Sequence, residues 1–329
     1  MINDALSIVA NLSGTAPKCI AALYDPVEAS LATPIVVSGG SQWKQNVVHS
    51  ARGYAFPTCL ADLFGTGTTS DFQMLHQDTS TTDLPTLLTR MENSVVTGTM
   101  PDGTTGNFIR SQIKTANGVT PPQTPFRIQQ ATESNLIAVN ELFVELDLFL
   151  PSNLATLLDS NYANNKYWIE IFAIKEGFIG GSTTTGGYRF SVQIQIPSGG
   201  GTIYFKVRGD NSAGLNATDG DVIYWNQNAT SITVPLNQWF KLMTYFKRPS
   251  VYTDEVSGIS WAGIATYTGG KMDAIETLHT QLGGVQKGRY NNEFNRLYCP
   301  TTYTKAVPFD VDWCNFEIWN KSPIVLPFM

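Results

Sequence analysis

Tyr188-Arg-Phe-Ser-Val-Gln-Ile-Gln-Ile196, then Pro197-Ser-Gly-Gly-Gly-Thr202, then Ile203-Tyr-Phe-Lys-Val-Arg-Gly209 is the stretch that decides the fold. Phe190, Val192, Ile194 and Ile196 alternate with Arg189, Ser191, Gln193 and Gln195. Beyond the glycines, Ile203, Phe205 and Val207 alternate with Tyr204, Lys206 and Arg208. Alternation with period two means that each strand buries one face and turns the other outward. The short Pro197–Thr202 linker supplies the glycines that a hairpin connection needs.

Most of the chain repeats this grammar. Strand patterns are expected at Phe72–His76, Phe108–Ile113, Phe126–Gln130, Glu141–Leu150, Tyr167–Ile174, Asp219–Trp225, Ser231–Val234, Gln238–Arg248 and Val311–Trp319. Three segments break it. Asp83–Glu92 has Leu84, Leu87, Leu88 and Met91 at helical spacing behind an Asp N-cap. Ser152–Asp159 reads as a short helix, and Lys271–Leu282 aligns Met272, Ile275, Leu278 and Leu282 ahead of two glycines. Asp4–Leu12 offers one further short helix. Met100–Gly106 is turn chemistry, and Gly288–Thr304 reads as a polar, aromatic loop. About a dozen strands without strand–helix alternation imply antiparallel sheets stacked as a sandwich or jelly roll. Residues 1–33 are expected to form an arm or short helix, and residues 34–329 one domain.

The bulk properties narrow the function. Of 329 residues, 42% are hydrophobic and only 15% charged, against about 25% charged in an average domain. Thr, Ser, Asn, Gln and Gly must therefore cover the surface, as in many extracellular, carbohydrate-facing or viral β-proteins. The net charge of −6 and the lack of a basic run argue against a broad nucleic-acid surface. No apolar run is long enough to span a membrane, and the N-terminus lacks the pattern of a signal peptide. Cys19, Cys59, Cys299 and Cys314 are widely spaced without a Cys-x-x-Cys pair, which argues against zinc. Cys314 falls in a strand pattern and is expected to be a buried thiol. A long-range disulfide requires an oxidising compartment.

The order of features resembles the concanavalin A-like lectin/glucanase superfamily, including its polysaccharide-lyase-like jelly rolls. The residues that carry it are the acidic Glu141–Leu150 strand, the hairpin, the Trp-led Gln238–Arg248 strand and the closing Asp310-x-Asp-Trp-x-x-Phe-Glu-Ile-Trp319 strand. The resemblance spans roughly residues 40–325 and implies two curved antiparallel sheets with a face that holds a glycan. It does not imply activity, because one fold hosts many functions.

Glu145 and Asp147 share one strand face with Glu141, and paired carboxylates serve glycoside hydrolysis. The resemblance implies a Glu-x-Asp-x-Glu strand for a retaining glucanase; Phe149 occupies the third position, so the acid is missing and an ordinary solvated strand face explains the charges. A lyase would need Tyr or His as base and acid, with Arg, Asn or Gln to neutralise a uronate. Candidate types are His49, His76, His279, Arg110, Arg189, Lys206, Arg208 and Tyr204; Gln193-Ile-Gln195 is the nearest echo of a lyase strand, without its histidine. The catalytic candidates are thus Glu145, Asp147 and His76. The glycan-binding candidates are Gln193, Gln195, Tyr204, Lys206, Arg208 and Tyr245. The aromatic residues stack on sugars or, for most of them, fill the core. No cofactor is expected; calcium is the one alternative, through Asp102, Asp210, Asp219, Asp221, Asp310 or Asp312.

The first expectation is a non-enzymatic structural or glycan-binding, lectin-like sandwich, oligomeric and acting in a virion or outside the cell. A phage fibre, decoration or receptor-binding subunit fits, its residues 1–33 docking on other virion subunits or further copies. The alternative is a polysaccharide lyase or glycoside hydrolase acting on an extracellular polysaccharide.

Overall fold

A computed structural model describes residues 17, 19–23, 31, 33–36, 42–46, 73–77, 83–115, 126–131, 141–156, 168–176, 189–197, 201–210, 223–247, 258–283, 294–298, 301–304 and 309–328. The strands are β1 (Cys19–Leu23), β2 (Ile35–Val36), β3 (Gln42–Asn46), β4 (Gln73–Gln77), β5 (Met91–Thr99), β6 (Thr105–Ile113), β7 (Phe126–Ala131), β8 (Glu141–Phe149), β9 (Trp168–Glu176) and β10 (Arg189–Gln195). They continue with β11 (Tyr204–Asp210), β12 (Ile223–Ala229), β13 (Trp239–Lys247), β14 (Ile259–Thr268), β15 (Lys271–Met272), β16 (Glu276–Leu282), β17 (Phe294–Tyr298), β18 (Thr301–Thr304) and β19 (Phe309–Trp319). Helix α1 spans Leu84–Arg90.

The described strands form an antiparallel β-sandwich. The large sheet runs β15-β14-β13-β8-β19-β6-β5, with β16 on β14 and β1 on β19. A second sheet runs β12-β11-β10-β9-β17, and a third β18-β7-β4-β3-β2. Between the first two lies the main core. The large sheet gives it Leu142, Val144, Leu146, Leu148, Phe240, Leu242, Phe246, Trp313 and Phe316; the second sheet answers with Ile169, Phe172, Phe190, Val192, Ile194, Phe205 and Val207. In β8, β10, β11 and β13 these are the alternating apolar positions, so period two selects the inner face; in β9 and β19 a bulge shifts the phase between Ile169 and Phe172 and between Trp313 and Phe316. The hairpin pairs Arg189 with Asp210 through to Gln195 with Tyr204.

The large sheet also buries much of its outer face. Phe143, Met243, Tyr245, Trp261 and Ala265 pack there under Leu326, with Ile324 and Phe328 beside it. The C-terminal segment past β19 is thus a cover over the middle of the sheet. Further along the same face, Trp239 meets Phe108 and Phe149 edge-on at 5.3 and 5.5 Å. Its indole N–H donates to the Thr99 carbonyl at 2.7 Å.

Several expectations change. Lys271–Leu282 is not a helix but β15 and β16. Gly269 and Gly270, at φ 58° and 76°, close a two-residue hairpin after β14. β16 then lies on β14, where only Leu278 of its apolar residues is buried while Leu282 is exposed. Gly288–Thr304 contains β17 and β18 and is not simply loop. Ser231–Val234 is turn and irregular chain; the strand is β12, ending at Ala229. Helix α1 has the expected cap, Asp83 accepting from the Thr86 amide at 2.9 Å and its hydroxyl at 2.6 Å. It stops at Arg90, because Met91 is already extended and opens β5. The Met100–Gly106 turn joins β5 to β6, Gly103 donating to the Met100 carbonyl at 2.9 Å. Part of the expected arm, β1, adds a strand to the large sheet through β19. The Asp4–Leu12 helix lies outside the described residues.

Candidate functional site

Five of the six glycan-binding candidates come together on the outer face of the second sheet. β10 turns Arg189, Ser191, Gln193 and Gln195 outward, and β11 turns Tyr204, Lys206, Arg208 and Asp210 the same way. In register, Gln195 faces Tyr204, Gln193 faces Lys206, Ser191 faces Arg208 and Arg189 faces Asp210. β12 extends the ladder with Asn228 opposite Lys206 and Asn226 opposite Arg208. β9 adds Glu170 opposite Gln193, whose amide donates to it at 3.5 Å.

The charges on this face are not all matched. Asp210 is fully buried and accepts from Arg189 through Nε at 3.0 Å and Nη2 at 2.8 Å, and from Arg208 Nε at 2.5 Å. One carboxylate thus anchors two guanidinium groups. Lys206, half-buried, has no carboxylate partner among the described residues. Burial and the neighbouring Arg208 charge both lower its pKa from the ordinary lysine value. Ser191 Oγ is buried and forms no hydrogen bond, a leftover polar capacity that native folds rarely tolerate. Ser191 and Gln193 are themselves buried, so the face presents one cation, Lys206, flanked by the partly exposed Gln195 and the exposed amides of Asn226 and Asn228.

The sixth candidate, Tyr245, is corrected by the structure. It is buried in the outer cluster of the large sheet, and its hydroxyl donates to Glu141 at 3.1 Å. It is packing, not a stacking platform.

Glu145 and Asp147 lie on the outer face of the large sheet, as alternation requires, but that face is not solvated. Asp147 is buried. It accepts from the Tyr267 hydroxyl at 2.5 Å and the Asn315 amide at 2.7 Å, with Lys241 Nζ at 3.4 Å. Burial and the Asp147 charge push the Tyr267 hydroxyl well above its ordinary range. Lys241 reaches Glu145 at 4.0 Å. Burial alone would lower Lys241, but the charges of Asp147, Glu145 and Glu317 outweigh it and hold the ammonium above its usual value. Burial raises Glu145; Lys241 opposes this and Glu317 reinforces it, leaving the carboxyl pushed up to about 7. With Tyr267, Asn315 and Lys241 around it, Asp147 is a committed structural acceptor and not a poised nucleophile.

The other candidates are scattered. His76 is on β4 in the third sheet, apart from both carboxylates. His279 lies on β16, against the Trp225 ring at 5.2 Å, its pKa lowered by burial. His49, Asp219 and Asp221 lie outside the described residues. Of the calcium candidates, Asp102 accepts from Thr104 in its turn, Asp310 from Gln112 and Asp312 from Arg110. No group of three metal-ligating side chains occurs among the described residues. Cys314 is a free, buried thiol, as expected. No helix among the described residues is long and apolar enough to cross a membrane.

Sequence reading missed Lys241, Tyr267, Asn315 and Glu317. Lys241 and Tyr267 were visible as outward positions of their strands, but their meeting with Asp147 depends on pairing between distant strands. Asn315 and Glu317 reach the cluster through a β-bulge between Cys314 and Glu317, with Asn315 at φ 48°, which alternation does not foretell.

No protein-family model and no curated protein matches the chain. Among solved structures it is similar to an alginate lyase from Aplysia kurodai, with a TM-score of 0.41 and 11% identity over 68% of this chain and 86% of that one. It is similar to an alginate lyase from a Chlorella virus, at 0.36 and 10% over 68% and 88%. The carbohydrate recognition domain of Emp46p matches at 0.34 and 8%, over 74% and 94%. Scores and identities this low carry no inference about this chain.

Proposed function

We propose that this protein is a non-enzymatic, lectin-like β-sandwich that holds a carbohydrate on the outer face of its second sheet. The observation that carries this reading is Lys206, a half-buried cation without a carboxylate partner among the described residues, set between Gln193 and Asn228. A partly desolvated lysine disfavours its own charge, and a carboxylate or sulfate on a bound sugar would restore it. Gln195, Asn226 and Asn228, partly or fully exposed, supply both donors and acceptors, as hydroxyl-rich ligands require. Asp210 keeps Arg208 in place beside Lys206, so the face is preorganised. The glycan is accordingly an acidic one.

The low charge and the Thr/Asn/Gly-rich composition support placement in a virion or outside the cell, as a fibre, decoration or receptor-binding subunit. Docking by the N-terminal residues is assigned to the part before β1, since β1 itself completes the large sheet. Removal of residues 1–17 is expected to lower the oligomeric state while leaving the fold intact, measured by light scattering.

The test of the binding reading is retention of the purified protein on a panel of neutral and uronate polysaccharides, with absorbance of unsaturated uronate and reducing ends followed together. Retention on an acidic member without cleavage, lost in Lys206→Met, is the expected result. Retention unaffected by that change refutes the site. Cleavage of any member overturns the non-enzymatic reading in favour of a lyase or hydrolase.

A further inference from the structure

Glu145 and Glu317 stand directly opposite one another on β8 and β19. Like charges in that position are destabilising, and here they are largely shielded from water, where the cost rises. The juxtaposition is built by the bulge between Cys314 and Glu317, whose Asn315 is locked to Asp147.

The groups around Glu145 can be counted strand by strand. β8 contributes Asp147, with Glu141 further along, tied to Tyr245 and Lys247. β13 contributes Lys241. β19 contributes Glu317 and the Cys314 thiol. β14 contributes Tyr267, whose hydroxyl is committed to Asp147. Three carboxylates therefore share one ammonium, and Lys241 leans toward Asp147, at 3.4 Å, more than toward Glu145, at 4.0 Å. Glu317 accepts from the Trp319 indole N–H at 2.7 Å. The proton that relieves the pair belongs on Glu145, which hydrogen-bonds to Glu317.

Trp319 also packs against the outer cluster that seats Ile324, Leu326 and Phe328. Glu317 is thus held by Glu145 on one side and linked through Trp319 to the C-terminal cover on the other. We infer that the Glu145–Glu317 pair is a proton-held latch: one shared proton keeps β19 against β8 past the bulge, and its loss loosens the Ser322–Phe328 segment from the large sheet. When Glu145 gives up its proton, Glu317 turns away and draws the Trp319 indole with it.

Hydrogen exchange of residues 322–328 in the full chain, corrected for intrinsic rates, tests this at about pH 6 and about pH 8.5. The Ile324 amide, which donates to Ser322 at 3.3 Å, is the reporter. A carboxyl moved from 4.5 to about 7 in the latched state predicts that protection falls about tenfold between those pH values. Glu145→Gln, whose amide still donates to Glu317, is expected to keep the same protection at both. Equal pH dependence in wild type and variant, or none in the wild type, overturns the latch. If the variant folds poorly, carboxyl-carbon NMR of the wild type decides. A Glu145 midpoint near neutrality supports the latch, and a midpoint in the ordinary glutamate range overturns it.

Discussion

Asp210→Asn removes the anion from a buried trio and leaves two guanidiniums facing each other. Asp210 is fully buried, and its oxygens take three N–H donors from Arg189 and Arg208 at 2.5 to 3.0 Å. Asparagine preserves the shape, but its amide nitrogen confronts donors with a donor. Breaking a buried pair by deleting one partner costs about 3–5 kcal/mol. The two arginine side chains keep 15% and 14% exposure, so water softens the loss, and the lower end, about 3 kcal/mol, is expected. Urea unfolding followed by tryptophan fluorescence measures it: with a slope of about 3 kcal/mol/M, the midpoint drops by about 1 M. The loss should persist in high salt, because buried charges are poorly screened. A loss below about 1 kcal/mol, or one that vanishes with salt, would show that the trio behaves as a surface ion pair and that Arg208 is not preorganised.

Gly263→Ala is expected to cost about 1–3 kcal/mol, because a Cβ there would sit 2.5 Å from the Trp261 ring and 3.1 Å from Ile275; thermal melting checks it. The Cys314 thiol is raised well above its normal range, by burial first and then by the Asp147 charge. Native protein should therefore leave it unmodified by iodoacetamide, with labelling appearing only on unfolding, as peptide mass spectrometry would show. Glu145 contributes a pH dependence of defined sign. Its folded pKa of about 7 lies above the unfolded 4.5, so the unfolded state holds fewer protons and stability falls as pH rises from about 4.5 to about 7. The full span is about 3 kcal/mol. Glu145→Gln should flatten that part of the stability–pH curve measured by denaturant titration.

Where local alternation and nonlocal packing agree, the sequence was legible. The β10–β11 hairpin, β8 and β13 appear where period two puts them, and β19 follows it as far as the bulge between Cys314 and Glu317. β5 is not legible in this way, since Asn93, Ser94, Thr97 and Thr99 give an edge strand no apolar stripe. The β16 segment carries a helical signal because Met272, Ile275, Leu278 and Leu282 recur every three to four residues; the Gly269–Gly270 turn instead folds the segment back on β14, where of these only Leu278 is buried. The polar face of the second sheet was legible because one hairpin carries five of the six binding candidates, so their register follows from one short connection between β10 and β11. The Glu145–Asp147 environment was not. Its burial comes from residues at 241, 267, 315 and 317, brought in by strand pairing and a bulge, and from a C-terminal cover that no local pattern announces.

β19 lies inside the large sheet, between β8 on one side and β6 and β1 on the other. During synthesis, β6 and β8 leave the ribosome long before this strand exists; the Arg110–Asp312 pair alone closes over 202 residues. Until then both strands have an open edge and an uncovered apolar face. Such long-range closure makes folding slow and leaves the nascent chain prone to sticking to itself. The sandwich is therefore expected to assemble after translation in one late step, and chains cut before about residue 310 should accumulate as insoluble material and not as a smaller folded unit.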